Sequence, residues 1–422
     1  MAHFSPARIT LFAALLACAL GLQRSSDRPA GNANANPNAP EDCAHFLPYS
    51  PDPRHIWNRL HRQLLVRPDR EGKPWGCDEI DPLLWRETIY LLVGDGYNQT
   101  LRLLDEFTNT HAEQLIRDPL PRAILQHDLW AVFDWLATAP ELHMEQRAQL
   151  ERRLAAIIQA VALTPDEIQH LPDNYSSLRG TITNDGLAMP DPRTGWVLLG
   201  RDDGDPVAPV HSFAFPRSVF LVYLKLPPQG PSPATYIEAM RSYSRQYPPN
   251  SDCMIQPCFP PQFPVGTELA LVRRALLIDN AGQPEVSPIT ESIQVRRYRE
   301  IPSGARFDFH GTMQQPAEFQ LTRHTLGQGV IGLRRLGEDE RQFRVFSSHG
   351  FDMEGPSVIL QSCQNCHQGI GAISFTSYSR VQFGQQDLFI MMHAANERQE
   401  NAAALAFLRS RGSWRILQRL VR

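Results

Sequence analysis

The period of the hydrophobic residues changes once along this chain, near Asn174. That switch limits the fold to an architecture with helices first and strands after. From Asp52 to Leu171 the apolar residues recur at helical spacing. Ile56, Leu60, Leu64 and Leu65 form one such set, and Leu83, Leu84, Leu91 and Leu92, with Thr88 between them, a second. Tyr97 to Phe107 is a short amphipathic run. Pro121 to Ala137 places Ile124, Leu125, Leu129, Val132, Phe133 and Leu136 on one face. Met144 to Leu163 carries Leu150, Leu154, Ile157, Ile158 and Val161 in the same way. Thr164-Pro165-Asp166-Glu167 has the form of a capping box with proline at the first helical position. These signals predict an all-helical module of five or six helices.

After Asn174 the pattern becomes that of strands. Ser218 to Leu226, Glu268 to Asp279 and Ile289 to Tyr298 are β-rich, and the short segment at Asn280-Ala281-Gly282 predicts a hairpin between the last two. Glu318 to Thr325, Val330 to Leu336 and Gln342 to Ser347 extend the expected antiparallel sheet, which one helix, Pro233 to Gln246, interrupts. Two further helices are expected over Gln385 to Arg398 and Asn401 to Val421. The predicted class is α+β. Its segments are a helical domain over 51–173, a β-rich antiparallel domain over 174–348 and a C-terminal helical segment over 349–422.

The first 22 residues have the form of an export signal. Arg8 precedes an apolar stretch, Ile9 to Leu22, that is too short to span a bilayer. Leu15-Leu16-Ala17-Cys18 resembles a bacterial lipobox, which would make Cys18 a lipidated residue; cleavage after a small residue nearby is the open alternative. Residues 23–50 include the low-complexity run Ala30 to Pro40 and read as a tether. The chain is therefore expected in the periplasm, or held at a membrane as a lipoprotein. A net charge of −4 provides no basic field for nucleic acid. Seven cysteines suit an oxidising compartment. Closeness in sequence pairs Cys253 with Cys258 and leaves Cys43 with Cys77, with other pairings open.

The strongest chemical signal is Cys363-Gln364-Asn365-Cys366-His367. This C-x-x-C-H spacing is that of a c-type haem attachment site. Two thiols add to the porphyrin vinyl groups, and the adjacent imidazole becomes the proximal iron ligand. A plain disulfide or half of a zinc site would use the same cysteines. A zinc site, however, lacks a second ligand pair in register. One covalent haem c is expected, with His367 on the iron. Candidates for the sixth ligand are His349, Met353, Met391 and Met392, with His310 and Met313 further off.

Through these five residues the chain resembles c-type cytochromes, and the resemblance implies an electron carrier with a redox partner protein. The order of a sheet followed by a C-terminal C-x-x-C-H is also similar to the cytochrome P460 family. That likeness implies a lysine crosslinked to the haem, and Lys225 is the residue placed for it. Three functions follow as expectations. The first is electron transfer through a six-coordinate iron. The second is a haem enzyme or gas sensor with an open distal site. The third is an interaction subunit of a periplasmic complex with a relay haem. Two weaker patterns read as turns. Gly327 to Gly332 matches G-x-G-x-x-G but has strand-like flanks, and Asp202, Asp203 and Asp205 around Gly204 lack the ligand register of a calcium loop.

Overall fold

The computed structural model describes residues 43, 46–69, 71–81, 90–138, 143–246, 261–301, 314–324, 332–342, 357–367, 371–372, 374–375 and 392–421. The fold is α+β, and Pro40 to Arg422 form one compact unit. Its centre is a seven-stranded antiparallel sheet. The strands are β3 (Val197–Arg201), β4 (Ser218–Lys225), β5 (Glu268–Ile278), β6 (Pro284–Tyr298), β7 (Gln314–Leu321), β8 (Leu333–Arg335) and β11 (Met392–Ala394). They lie in the order β11-β3-β4-β5-β6-β7-β8. Two small ladders flank it: β1 (Arg67–Pro68) with β2 (Pro74–Trp75), and β9 (Arg341–Gln342) with β10 (Ser357–Val358).

Alternation along the strands sorts the side chains onto two faces. Leu198, Val219, Leu221, Tyr223, Ala270, Val272, Ile293 and Val295 join one core with the helices. Those helices are α1 (Ile56–Leu65), α2 (Gly94–Asn109), α3 (Pro119–Thr138) and α4 (Met144–Ala160), together with α9 (Glu397–Ser410) and α10 (Gly412–Leu420) from the other end of the chain. The segments 51–173, 174–348 and 349–422 thus share a core. Burial on this scale, at about 25 cal/mol per Å² of apolar surface, is what holds them together. The opposite face carries Leu199, Val222, Leu224, Leu269 and Tyr298 under α7 (Pro233–Gln246), which contributes Tyr236, Ile237 and Met240.

Several local rules hold closely. Thr164 and Glu167 form the expected reciprocal capping box at the start of α5 (Pro165–Gln169). β5 and β6 form the expected hairpin. The C-terminal expectations need correction. Residues 392–394 form β11 rather than part of a helix, pairing with Arg201, Gly200 and Leu199 on the free edge of β3. Edge pairing here overrides the helical pattern. Gly200 permits the approach, because a Cβ there would sit 2.6 Å from Ala395 Cβ and 2.5 Å from Glu400 Oε1. The helix expected over Asn401 to Val421 is two helices. Arg411 is extended (φ −73°, ψ 142°) and separates α9 from α10 at Ser410-Arg411-Gly412, where serine and glycine weaken helical propagation. Among the described residues no helix is long and apolar enough to cross a membrane.

Candidate functional site

The motif helix, α8 (Ile359–His367), begins where β10 leaves its partner β9. Ile359 N–H donates to Glu340 O at 2.9 Å, and Ser362 Oγ donates to Val358 O at 2.9 Å, so the first turn is tied to the strand that delivers it. Positions 363, 366 and 367 are spaced i, i+3 and i+4, which places them on one face of the helix. β7 lies under that helix. Gln314 Nε2 donates to the His367 carbonyl at 2.9 Å and satisfies a carbonyl at the helix end. Cys363 Sγ is a thiol 3.9 Å from Glu318 Oε2. Glu318 Oε1 accepts from Gln320 Nε2 at 2.7 Å, and Gln320 Oε1 accepts from Gln342 Nε2 at 2.9 Å.

His367 Nδ1 lies 3.0 Å from the Ser374 carbonyl. A carbonyl can only accept, so Nδ1 carries the proton and Nε2 holds the lone pair. This is the tautomer a metal-ligating histidine needs, held by the backbone partner such ligands use. Burial, reinforced by Arg296 and His211, holds the imidazole pKa well below its ordinary value, so the ring is neutral. The turn that supplies the carbonyl is itself fixed. Gly371 has φ +48°, Ser374 Oγ donates to Gly371 O at 2.7 Å, and Tyr298 Oη and Ser374 Oγ are 2.6 Å apart. Ala372 N–H donates to Gln262 Oε1 at 3.2 Å. Beside this turn stands His211, on α6 (Pro209–Ala214). Its ring centre is 6.3 Å from that of His367, at an interplanar angle of 23°, and 5.4 Å from that of Phe220.

The other sequence candidates are distributed as follows. Met392 is on β11, buried in the apolar layer with Leu199, Met240 and Ala372, and its carbonyl accepts from Arg241. His349, Met353, Met391, His310, Met313, Cys18, Cys253 and Cys258 lie outside the described residues. Cys43 and Cys77 are joined by a disulfide, with Cα atoms 5.4 Å apart. Lys225 pairs with Glu268, Nζ to Oε2 3.9 Å, and lies 5.8 Å from the Trp196 ring centre. It shares the strand parity of Val219, Leu221 and Tyr223, the helix-packed face. His367 is associated with the other face, through Tyr298, Ser374 and Ala372. The sheet therefore separates Lys225 from the motif, and a lysine–haem crosslink through it does not fit. Asp203 bonds Arg201 and the Asp205 N–H around Gly204 at φ +76°, which is a turn. In the glycine-rich pattern, positions 327–331 lie outside the described residues, in the connection between the antiparallel strands β7 and β8 rather than in a parallel β-α-β unit.

A buried ionic cluster was not legible in the sequence. Asp81, His127 and Glu291 bring ligand-type atoms within 4.8 Å of one another. In β6 Glu291 is the bulged residue, since Arg273 faces Ser292 and Arg274 faces Thr290, and the bulge re-aims its carboxylate. The cluster does not fit a metal. Arg217 binds Asp81 and Asp134, and Arg273 binds the other Asp81 oxygen and lies 3.1 Å from Glu291 Oε1. Two guanidiniums already neutralise the carboxylates that a cation would need. The Arg273 guanidinium also lies 3.9 Å from the Phe215 ring centre and 6.0 Å from that of Phe220, the ring that His211 packs against. The cluster thus braces the wall of the candidate site. No family model, no curated protein and no solved structure matches this chain.

Proposed function

We propose that this chain is an exported monohaem c-type cytochrome that passes electrons to or from a partner protein. Cys363 and Cys366 would carry the thioether links, and His367 would be the axial iron ligand. The observation that carries this reading is the His367–Ser374 hydrogen bond, which leaves Nε2 unprotonated at the end of a helix bearing both cysteines. A disulfide between the two cysteines gives no reason for that tautomer, and a zinc site, which would share it, lacks a second ligand pair in register. When bound, the haem supplies a one-electron couple. The chain's own residues do the rest. Ser374 holds the proton at Nδ1, Tyr298 holds Ser374, and Gln314 fixes the end of the helix. Arg296 adds positive charge beside His367, at a distance where it favours a neutral ring.

Export is supported by the N-terminal signal pattern, whether Cys18 is lipidated or removed, and by the Cys43–Cys77 disulfide, a bond that persists in oxidising compartments. The test is expression in a host with cytochrome c maturation, followed by acid–solvent extraction of the denatured protein. Haem absorbance should stay with the polypeptide, and Cys363→Ala/Cys366→Ala should release it. Extraction of all haem from the unsubstituted protein would refute the reading.

A further inference from the structure

We propose that His211 is the second axial ligand of the iron, making it a bis-histidine centre; this rests on the haem reading above. His211 lies on a short helix far upstream of the motif, and no sequence pattern links it to His367. The fold does link them. The turns of α6 are closed by Ser212 N–H donating to Ala208 O and by Phe215 N–H donating to His211 O, and its histidine packs on Phe220 of β4. Both imidazoles therefore come to one region of the sheet face.

The separation matters. The two rings are close to parallel, with an interplanar angle of 23°, and their centres are 6.3 Å apart, a spacing that an offset ring pair also shows. A metal about 2 Å from one nitrogen of each ring, with each ring centre about 1 Å further out, would separate the centres by about 6 Å. Among the described residues His211 is the ring that lies against His367 at this spacing. Met392, the one described residue among the sequence candidates for this position, is packed in the apolar layer with Leu199 and Met240. Two imidazoles fill both axial positions, so the iron would exchange electrons without binding a gas or a substrate. Replacing one of them by methionine would raise the potential.

The experiment uses the full haem-loaded protein, read by absorption, electron paramagnetic resonance and redox titration. The unsubstituted protein should be low-spin and unchanged by carbon monoxide. His211→Gly should lose the low-spin signal, bind carbon monoxide when reduced, and recover the low-spin spectrum when imidazole is added. His211→Met, which keeps a ligand and a similar bulk, should shift the midpoint potential upward. A low-spin His211→Gly with an unchanged spectrum, or an unchanged potential in His211→Met, would overturn the assignment while leaving covalent haem in place. A chain with no covalent haem would instead overturn the reading on which it rests.

Discussion

His127 Nε2 and Glu291 Oε1 lie 2.9 Å apart, the histidine on α3 and the glutamate at the bulge of β6. Burial opposes ionisation of Glu291, but Arg273 and His127 outweigh it and hold the carboxyl down at about 2. Burial likewise opposes a charge on His127, and Glu291 and Asp81 outweigh it, raising the imidazole pKa. The pair joins the helical layer to the sheet through charge as well as packing.

Removing one charge from this pair should be costly. Glu291→Gln keeps the side-chain shape but leaves Arg273 and His127 undercompensated in the interior, with an expected loss of about 3–5 kcal/mol. A depressed carboxyl pKa contributes stability that is present above its ordinary value of 4.5 and is lost as the pH falls through about 2. The acid limb of the stability curve should therefore be shallower in the variant over that window. Urea unfolding at several pH values measures both effects; a loss below about 1 kcal/mol would mean that the cluster is not a structural brace.

The Cys43–Cys77 disulfide spans 34 residues of sequence. Closing a loop of that length in the unfolded chain is worth about 3–4 kcal/mol. Cys43→Ser/Cys77→Ser should lower stability by about that amount. Dithiothreitol should have a similar effect on the unsubstituted protein and little on the variant. Equal sensitivity of the two proteins would argue against the bond.

Gly371 is the residue where a side chain is least tolerable in the motif turn. Its φ is +48°, and an added Cβ would lie 2.3 Å from Gln262 Oε1. Gly371→Ala should cost about 1–2 kcal/mol from backbone handedness, with the displaced Gln262 adding to it. Because the same turn carries the Ser374 carbonyl to His367, the variant should also incorporate less haem per chain. Normal incorporation with normal stability would show that the turn tolerates the change.

Glu400, on α9, is 5 % exposed, and burial pushes its pKa up to about 7. The folded state then holds this proton to a higher pH than the unfolded state does. Its contribution is fully present below 4.5 and is lost as the pH rises through about 7. Glu79, also pushed up to about 7 by burial, acts with the same sign. Between about pH 5 and pH 8 the melting temperature should fall relative to that of Glu400→Gln, a difference that separates this proton from the buried neutral His61 and His367, which act with the opposite sign. Parallel curves for the two proteins would contradict this account.

Much of the fold was legible because it is local. The Thr164 capping box, the helical span of α3 and the β5–β6 hairpin all depend on residues close in sequence, although α3 is buried on every side from Ala123 to Leu136 rather than on the one expected face. β11 was not legible, because residues 392–394 become a strand only when the edge of β3 is there to receive them. The site divides in the same way. Cys363, Cys366 and His367 announce themselves by spacing, whereas the Ser374 carbonyl is a backbone group with no sequence signature. His127 and Glu291 are 164 residues apart, and His211 is nearly as remote from the motif, so only the folded sheet brings these groups together.

The measurement that bears most directly on the central claim is peptide mapping by mass spectrometry of the protein from a maturation-competent host. The account predicts one peptide, containing Cys363 and Cys366, that is heavier by one haem and resists alkylation at both sulfurs. Recovery of that peptide at its unmodified mass, with two alkylated thiols or a Cys363–Cys366 disulfide, would contradict it.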